Sequence, residues 1–256
     1  MYNKLSISFI ILSYNQYNNI VNIINNIILS KIADYEIIVV DNNSYPSYEY
    51  ELKSIFNEII FINNPIQRNQ SKSRNDGVKI ATKDYIFFID GDDNINPVFF
   101  KSLNSIDSDV LFIPRLKGYD INNSSIEIND PNVSFNSSAV MGIYKTQVLK
   151  TLNIWHEENN FYYYSEDVVF TTLLLYNIKK KNISYTISDN KTYLYYGLKT
   201  STSTDYNAID KQWLREYFLS MLDYLYNFIV DDKETLDYAI NKINYYIIHY
   251  CGDNNE

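Results

Sequence analysis

The feature that most constrains this chain is a series of short apolar runs separated by segments of helix length. The runs are Leu5–Leu12, Glu36–Val40, Ile59–Ile62, Tyr85–Ile89 and Val110–Ile113. Between the first two, the isoleucines of residues 17–30 recur at one-face helical spacing. Strands that are apolar on both faces and alternate with helices predict a parallel sheet covered on both sides. We therefore expect an α/β fold with a mostly parallel, Rossmann-like central sheet flanked by helices.

The C-terminal part of the chain has a different pattern. Residues 166–180 have helical periodicity, and from Ile209 onward the apolar residues recur at helical spacing in two further segments. This predicts a first domain over residues 1–205 and a C-terminal helical extension over residues 206–256. A length of 256 residues suits one large domain with such an addition. The extension could pack against the first domain or form a homodimer contact.

Charge and residue counts exclude several classes of function. The chain has 22 basic and 31 acidic residues, a net charge of −9, which argues against nucleic-acid binding. A single cysteine, Cys251, rules out a disulfide framework and a cysteine-rich zinc site. No apolar run reaches the roughly 20 residues that a spanning helix needs, and no signal-peptide cleavage site follows the first run. We expect a cytoplasmic protein that could rest peripherally on a membrane.

Acidic residues follow two of the predicted strands. Asp41 ends the second run, and Asp90-Gly-Asp-Asp93 ends the fourth. Ligands of parallel sheets bind outside the carboxyl ends of the strands. Carboxylates suit Mg²⁺ or Mn²⁺, and Gly91 allows a tight turn or a close ligand. The alternative in both places is an ordinary polar turn.

Two predicted helix starts carry charged residues. Lys72 and Arg74 lie at the start of the helix predicted over residues 71–81, where they could meet phosphate oxygens or simply face water. Glu166 and Asp167 begin the helix over residues 166–180. They could hold a general base, or they could be the acidic first turn that the helix dipole favours.

Taken in order, these motifs resemble family 2 of the nucleotide-sugar glycosyltransferases, which have the GT-A fold. The resemblance covers roughly residues 5–205. It implies that Asp41 contacts the nucleotide base, that Asp90 and Asp92 bind the ribose and a Mn²⁺ or Mg²⁺ ion, and that Asp167 is the catalytic base. The donor contacts that it implies are Ser13, Asn15, Asp41, Arg74, Asn75, Asp90, Gly91, Lys199 and Ser201.

The implied reaction moves a sugar from a nucleotide-sugar, most often a UDP-sugar, to an acceptor hydroxyl with inversion. The transferase would be of the hexosyl or N-acetylhexosaminyl type and act in glycan or polysaccharide biosynthesis. Its acceptor would be a glycan, a lipid-linked glycan or a protein. The chain departs from the family at residues 70–73, where relatives often have small residues, and at Lys199, where Arg or His is common.

Three other classes share parts of the pattern. A phosphotransferase with an aspartyl nucleophile would place its acidic loop after the first strand rather than the fourth. A nucleotidyltransferase of related fold would favour a glycine-rich basic loop where this chain has Ser13-Tyr-Asn-Gln16. A catalytically silent glycan-binding module would not need Asp41, the Asp90–Asp93 cluster and Asp167 together. We expect the glycosyltransferase.

Overall fold

The computed structural model describes residues 5–95, 97–103, 105–113, 115–116, 142–152, 166–188, 193–194 and 210–252. The strands are β1 (Ser6–Ser13), β2 (Asp34–Asp41), β3 (Ile60–Asn63), β4 (Tyr85–Asp90), β5 (Asn94–Ile95), β6 (Val110–Phe112), β7 (Arg115–Leu116), β8 (Gly142–Lys145), β9 (Tyr185–Ile187) and β10 (Tyr193–Leu194). The helices are α1 (Tyr17–Leu29), α2 (Glu49–Ile55), α3 (Gln70–Ile80), α4 (Pro97–Ser102), α5 (Thr146–Leu152), α6 (Glu166–Lys180), α7 (Lys211–Ile229) and α8 (Lys233–Tyr246). A π-helical turn, Ile247–Cys251, follows α8.

A seven-stranded sheet with the order β3-β2-β1-β4-β8-β6-β9 forms the centre of the fold. The first four strands in this order are parallel, and β8 runs antiparallel to both β4 and β6. The predicted α/β fold with a mostly parallel sheet and C-terminal helices is confirmed. A smaller sheet has the order β5-β10-β7. The sequence analysis did not predict β8, in which only Ile143 and Tyr144 form an apolar run.

The central strands are buried because helices cover both faces of the sheet. All eight residues of β1 are buried, as are the last five of β2. Phe9 of β1 packs edge-on against Phe87 of β4 and Phe100 of α4, with ring centroids 6.2 and 5.2 Å apart. On α3, Gly77 approaches β1 so closely that an added Cβ would lie 2.5 Å from the Ile10 side chain. The apolar runs of β1, β2, β4 and β6 therefore form the sheet core, whereas the edge strand β3 is largely exposed.

The chain divides into two compact units. The first comprises Met1–Glu157 and Ser184–Ser201, and the second comprises Glu158–Ile183 and Thr202–Glu256. Helix α6 thus belongs with α7 and α8, and the predicted domain boundary at residue 205 stays a prediction. Among the described residues, no helix is both long and apolar enough to span a membrane.

Within the second unit, ion pairs join α6 to the link between α7 and α8. Lys179 lies 3.2 Å from Asp232 and 2.9 Å from Glu234, and Lys180 pairs with Asp231. The Tyr176 hydroxyl donates a hydrogen bond to Asp231 as well, at 3.1 Å. The carboxyl end of α6 is therefore held by residues that the sequence analysis placed in the extension.

Candidate functional site

The sheet brings the two acidic strand ends to either side of one strand. In the parallel register, Ser13 of β1 lies opposite Asp41 of β2, and Leu12 of β1 lies opposite Asp90 of β4. Both carboxylates therefore lie at the carboxyl edge of the sheet, where parallel sheets bind ligands. The register explains why residues 49 positions apart in sequence form a single candidate site.

Asp41 is the centre of a buried hydrogen-bond network. Its side chain is 1% exposed. Its Oδ1 accepts hydrogen bonds from the Ser44 hydroxyl at 2.5 Å and the Tyr48 hydroxyl at 2.9 Å, and its Oδ2 accepts one from the Ser44 backbone N–H at 2.8 Å. The Ser13 hydroxyl also contacts the hydroxyl of Tyr48. Burial, reinforced by the charge of Asp41, raises the pKa of Tyr48 to about 12, so its phenol is protonated at neutral pH.

Asn15 connects this network to the loop after β1. Its backbone N–H donates to the Ser44 hydroxyl oxygen at 2.7 Å, and its side-chain oxygen accepts from the Tyr45 N–H at 2.9 Å. Asn15 adopts a φ of 55°, a left-handed conformation that asparagine tolerates better than most residues. Two loops that follow neighbouring strands are thus tied together by backbone and side-chain hydrogen bonds.

The second acidic strand end is held by an ion pair. Arg74 of α3 is 2% exposed and places its Nη2 2.8 Å from Oδ1 of Asp90, whose side chain is 27% exposed. Asn75, the next residue on α3, is buried as well. The helix begins at the N-cap residue Asn69, whose side chain accepts a hydrogen bond from the Lys72 N–H. The start of α3 thereby places a guanidinium beside the acidic loop.

The loop that contains Asp90–Asp93 is a tight turn fixed by α1. The Asp93 N–H bonds the Asp90 carbonyl oxygen at 2.9 Å. The side-chain amide of Asn19 donates to the carbonyl oxygens of Gly91 and Asp93 at 2.5 and 3.0 Å. A Cβ on Gly91 would collide with the Leu12 carbonyl and the Gln16 side chain, so only glycine allows this approach. Asp93 is buried, whereas Asp90 and Asp92 are part-exposed.

A small cavity of about 320 Å³ lies beside the Asp41 network. Its walls include Asn15, Tyr17, Tyr45, Pro46, Tyr48 and Glu51. The ring of Tyr48 lines this cavity, while its hydroxyl reaches Asp41. One side chain thus forms the boundary between the buried network and an open, mainly apolar space.

Comparison with known families agrees with this geometry. The family model described as Glycosyl transferase family 2 matches residues 8–194. The chain belongs to glycosyl transferase family 2. The match covers every strand of the central sheet except the first two residues of β1, and it ends at the last residue of β10. No curated protein matches the chain significantly.

Solved structures of similar fold include one from S. aureus and one from Pyrobaculum calidifontis. TarS 1-349 of S. aureus in complex with UDP-GlcNAc is 18% identical, with a TM-score of 0.61 over 87% of this chain and 67% of that one. The mannosyltransferase PcManGT of Pyrobaculum calidifontis in complex with GDP-Man and Mn²⁺ is 12% identical, with a TM-score of 0.57 over 96% of this chain and 76% of that one. At these identities the similarity establishes the GT-A fold.

The matched TarS chains are longer than this one. The chain spans 66% of TarS 1-349 in another crystal structure and 40% of the longer TarS chain. The similarity to TarS therefore concerns only part of that protein's length.

The acidic loop suits a hard divalent cation in its donor type. Asp90 and Asp92 offer carboxylate oxygens, which Mg²⁺ and Mn²⁺ prefer. Within the ranges that the structure describes, no group of three or more His, Cys, Asp and Glu side chains converges on one point. Among the described residues, the ligands of a metal site would be these two carboxylates, with further oxygens supplied by a diphosphate and water.

Three predicted site residues remain. Asp167 is in the first turn of α6, part-exposed, beside the buried Glu166, and it belongs to the second unit. Its charge also adds to the burial that raises the pKa of Tyr238 on α8. Lys199 and Ser201 fall outside the described residues.

Three residues of the site were missed in the sequence. Ser44 could have been found, because Asp side chains in turns commonly accept hydrogen bonds from backbone N–H groups a few residues later. Tyr48 carries no such signal, since its contact with Asp41 depends on the path of the chain through the loop. Asn19 could not be distinguished from the other asparagines of its helix, because its two partners are backbone carbonyls on a distant loop.

Proposed function

We propose that this protein transfers a sugar from a UDP-sugar to an acceptor hydroxyl with inversion at the anomeric carbon. The observation that carries the proposal is the pair of acidic strand ends on either side of β1, in a chain that belongs to glycosyl transferase family 2. UDP-GlcNAc in the TarS complex supports a UDP-linked donor, and a hexosyl or N-acetylhexosaminyl group. The acceptor would be a glycan, a lipid-linked glycan or a protein in polysaccharide biosynthesis.

The donor's diphosphate would be met by the acidic loop and α3. Asp90 and Asp92 would hold Mn²⁺ or Mg²⁺, and the PcManGT complex with Mn²⁺ supports this assignment. When bound, the ion stabilises the negative charge that develops on the leaving diphosphate. Arg74 fixes the orientation of Asp90 through its ion pair. Gly91 keeps the loop close to β1, and Asn75 lies next to Arg74 on the same helix.

The nucleoside would lie against the Asp41 network. Asp41, Ser13 and Asn15 are the proposed contacts, since they occupy the ends of β1 and β2. Oδ2 of Asp41 accepts a single hydrogen bond, from the Ser44 N–H, and can accept a second from a base N–H. Lys199 and Ser201 are proposed to contact the donor phosphates, as the family resemblance implies.

Asp167 is proposed as the general base. Its carboxylate would take the proton of the acceptor hydroxyl while that oxygen attacks the anomeric carbon. The bond from this carbon to the diphosphate oxygen breaks, and the electron pair leaves with the nucleoside diphosphate. One direct displacement of this kind inverts the configuration of the sugar.

A thermal-shift screen of nucleotide-sugars tests the donor. A bound ligand stabilises a folded protein by mass action, so the correct donor should raise Tm in the presence of Mn²⁺. We expect UDP-sugars to give the largest shift and a chelator to reduce it. The absence of a shift with every nucleotide-sugar would contradict the proposal, and a shift indifferent to the chelator would contradict the metal's role.

Asp167→Asn separates the base from donor binding. We expect transfer to fall by about 10²-fold or more, because the proton acceptor is lost, while the Tm shift with the donor is retained. Asp237→Asn, an exposed aspartate on α8, is the matched control and should leave both unchanged. Near-normal transfer by Asp167→Asn would exclude it as the base.

A homodimer through the C-terminal helices stays a prediction. The exposed apolar side chains of α7, among them Leu219, Tyr226 and Trp213, support such a contact. The predicted cytoplasmic location, with peripheral contact to a membrane, also stays a prediction.

A further inference from the structure

Tyr48 is held rigidly at the edge of the predicted nucleoside site. Its ring packs against Tyr17 and Phe61, with centroids 5.7 and 6.0 Å away. The residue is 7% exposed. Because neighbouring rings fix the plane of the phenol, the position of its hydroxyl oxygen is fixed too. That oxygen lies within hydrogen-bond distance of Asp41 and Ser13.

The hydroxyl of Tyr48 determines which lone pairs of Asp41 are available. A carboxylate oxygen has two acceptor directions. On Oδ1 both are used, by Ser44 and Tyr48, whereas Oδ2 receives only the Ser44 N–H. One direction is therefore left for a ligand. Without the phenol, Oδ1 would regain an acceptor direction and the carboxylate could rotate.

We propose that Tyr48 is a positioning residue that sets the base selectivity of the donor site by orienting the carboxylate of Asp41. A base that presents an N–H along the single remaining direction is accepted, and a base whose N–H lies elsewhere is not. This inference rests on the proposed function, because it takes the end of β2 as the place where the nucleoside binds. The ring of Tyr48 lines the neighbouring apolar cavity. A substitution that removes only the hydroxyl leaves this ring in place.

Calorimetric titration of Tyr48→Phe with three probes tests this. The probes are UDP, GDP and inorganic pyrophosphate, each with Mn²⁺, and pyrophosphate reports on the acidic loop without a base. We expect the affinity for the preferred nucleoside diphosphate to fall about tenfold. The ratio of the UDP and GDP affinities should move toward one, and pyrophosphate binding should not change.

Tyr17→Phe is the matched control. Tyr17 lines the same cavity and packs against the same ring, but no hydrogen bond joins it to Asp41. We expect its affinities for all three probes to equal those of the wild type. A shift in base selectivity of equal size in Tyr17→Phe would show that the cavity wall, and not the hydroxyl, determines selectivity, and would overturn the proposal.

The outcomes separate this inference from the proposed function. A wild-type protein that binds no nucleoside diphosphate overturns both. If the wild type discriminates between bases and Tyr48→Phe keeps the same ratio, only the role of Tyr48 is overturned. A loss that is equal for all three probes also overturns it, since that indicates a general structural effect. If Tyr48→Phe does not fold, Ser44→Ala replaces it in the test, since it removes the other hydroxyl donor to Oδ1. The ratio of the UDP and GDP affinities should again move toward one, and an unchanged ratio would overturn the inference.

Discussion

The carboxyl ends of β2 and β4 each carry an aspartate at the edge of the sheet, but the two carboxylates are stabilised by different partners. Each places an aspartate beside β1, yet Asp41 is satisfied by hydroxyl and amide hydrogens, whereas Asp90 is paired with a guanidinium. The first aspartate is almost wholly buried and the second is about a quarter exposed. A carboxylate whose oxygens accept several hydrogen bonds can be buried, whereas the proposed binding of a cation by the acidic loop requires oxygens at the surface.

This contrast shows what each end can contribute. The β2 end offers one acceptor direction in a rigid frame, which suits recognition of a flat base. The β4 end offers part-exposed charge on a loop pinned by Asn19, which suits a diphosphate and its metal ion. Substitutions that remove one or the other kind of support should therefore lower the free energy of unfolding by different amounts.

The largest stability effect should come from Asp90→Asn. The almost fully buried guanidinium of Arg74 would lose its ion pair with the Asp90 carboxylate, and we expect the free energy of unfolding to fall by about 2–3 kcal/mol. Asp76→Asn is the control, because Asp76 pairs at the surface with Arg68 and should cost less than about 1 kcal/mol. Urea unfolding measures both, and equal losses would mean that burial of Arg74 does not matter.

A smaller effect is expected from Asp41→Asn. The asparagine amide has only one acceptor oxygen, which would keep the hydrogen bond from the Ser44 N–H. The hydroxyls of Ser44 and Tyr48 would then have to turn and accept hydrogen bonds from the amide NH₂. We expect a loss of about 1–2 kcal/mol. Asp34→Asn, at the other end of β2, removes a part-exposed pair with Lys83 and should cost less than about 1 kcal/mol. A loss no greater than that of Asp34→Asn would contradict a tight network.

The last expected effect is a pH dependence, which is confined to alkaline solution. The pKa of Tyr48 is raised from 10 to about 12. The folded protein therefore holds this proton more tightly than the unfolded chain. Its stabilising contribution is complete below pH 10 and is lost as the pH rises toward 12. The stability difference between the wild type and Tyr48→Phe should shrink between pH 10 and pH 12. Other tyrosines are present in both proteins and cancel, and a constant difference would contradict the raised pKa.

Most of the sheet could be predicted because local pattern and tertiary position agree there. The runs at residues 36–40 and 85–89 are apolar on both faces since helices cover both sides, and the observed strands β2 and β4 extend them by only one or two residues. Strand β8 was missed because only two of its residues are apolar and its pairing with β4 joins residues about 60 positions apart. No local pattern records such a pairing.

The site was predictable to the level of residue type. The placement of Asp41 and Asp90 followed from the rule for parallel strand ends, and the structure places them on either side of β1. The burial of Asp41 could not be foreseen, because it depends on Tyr48 reaching back across seven residues of loop. The Arg74–Asp90 ion pair was equally hidden, since it requires the start of α3 to lie over the end of β4.

The ion pairs between α6 and the α7–α8 link bear on how this chain could be shortened or recombined. The family match ends at residue 194, yet α6, which carries Asp167 in its first turn, forms ion pairs with Asp231, Asp232 and Glu234, well beyond that limit. A chimera that joined the matched stretch to another protein's tail would keep every strand-end carboxylate. It would replace the support of the helix carrying the proposed base, so sequence identity within the matched region would not guarantee equal activity.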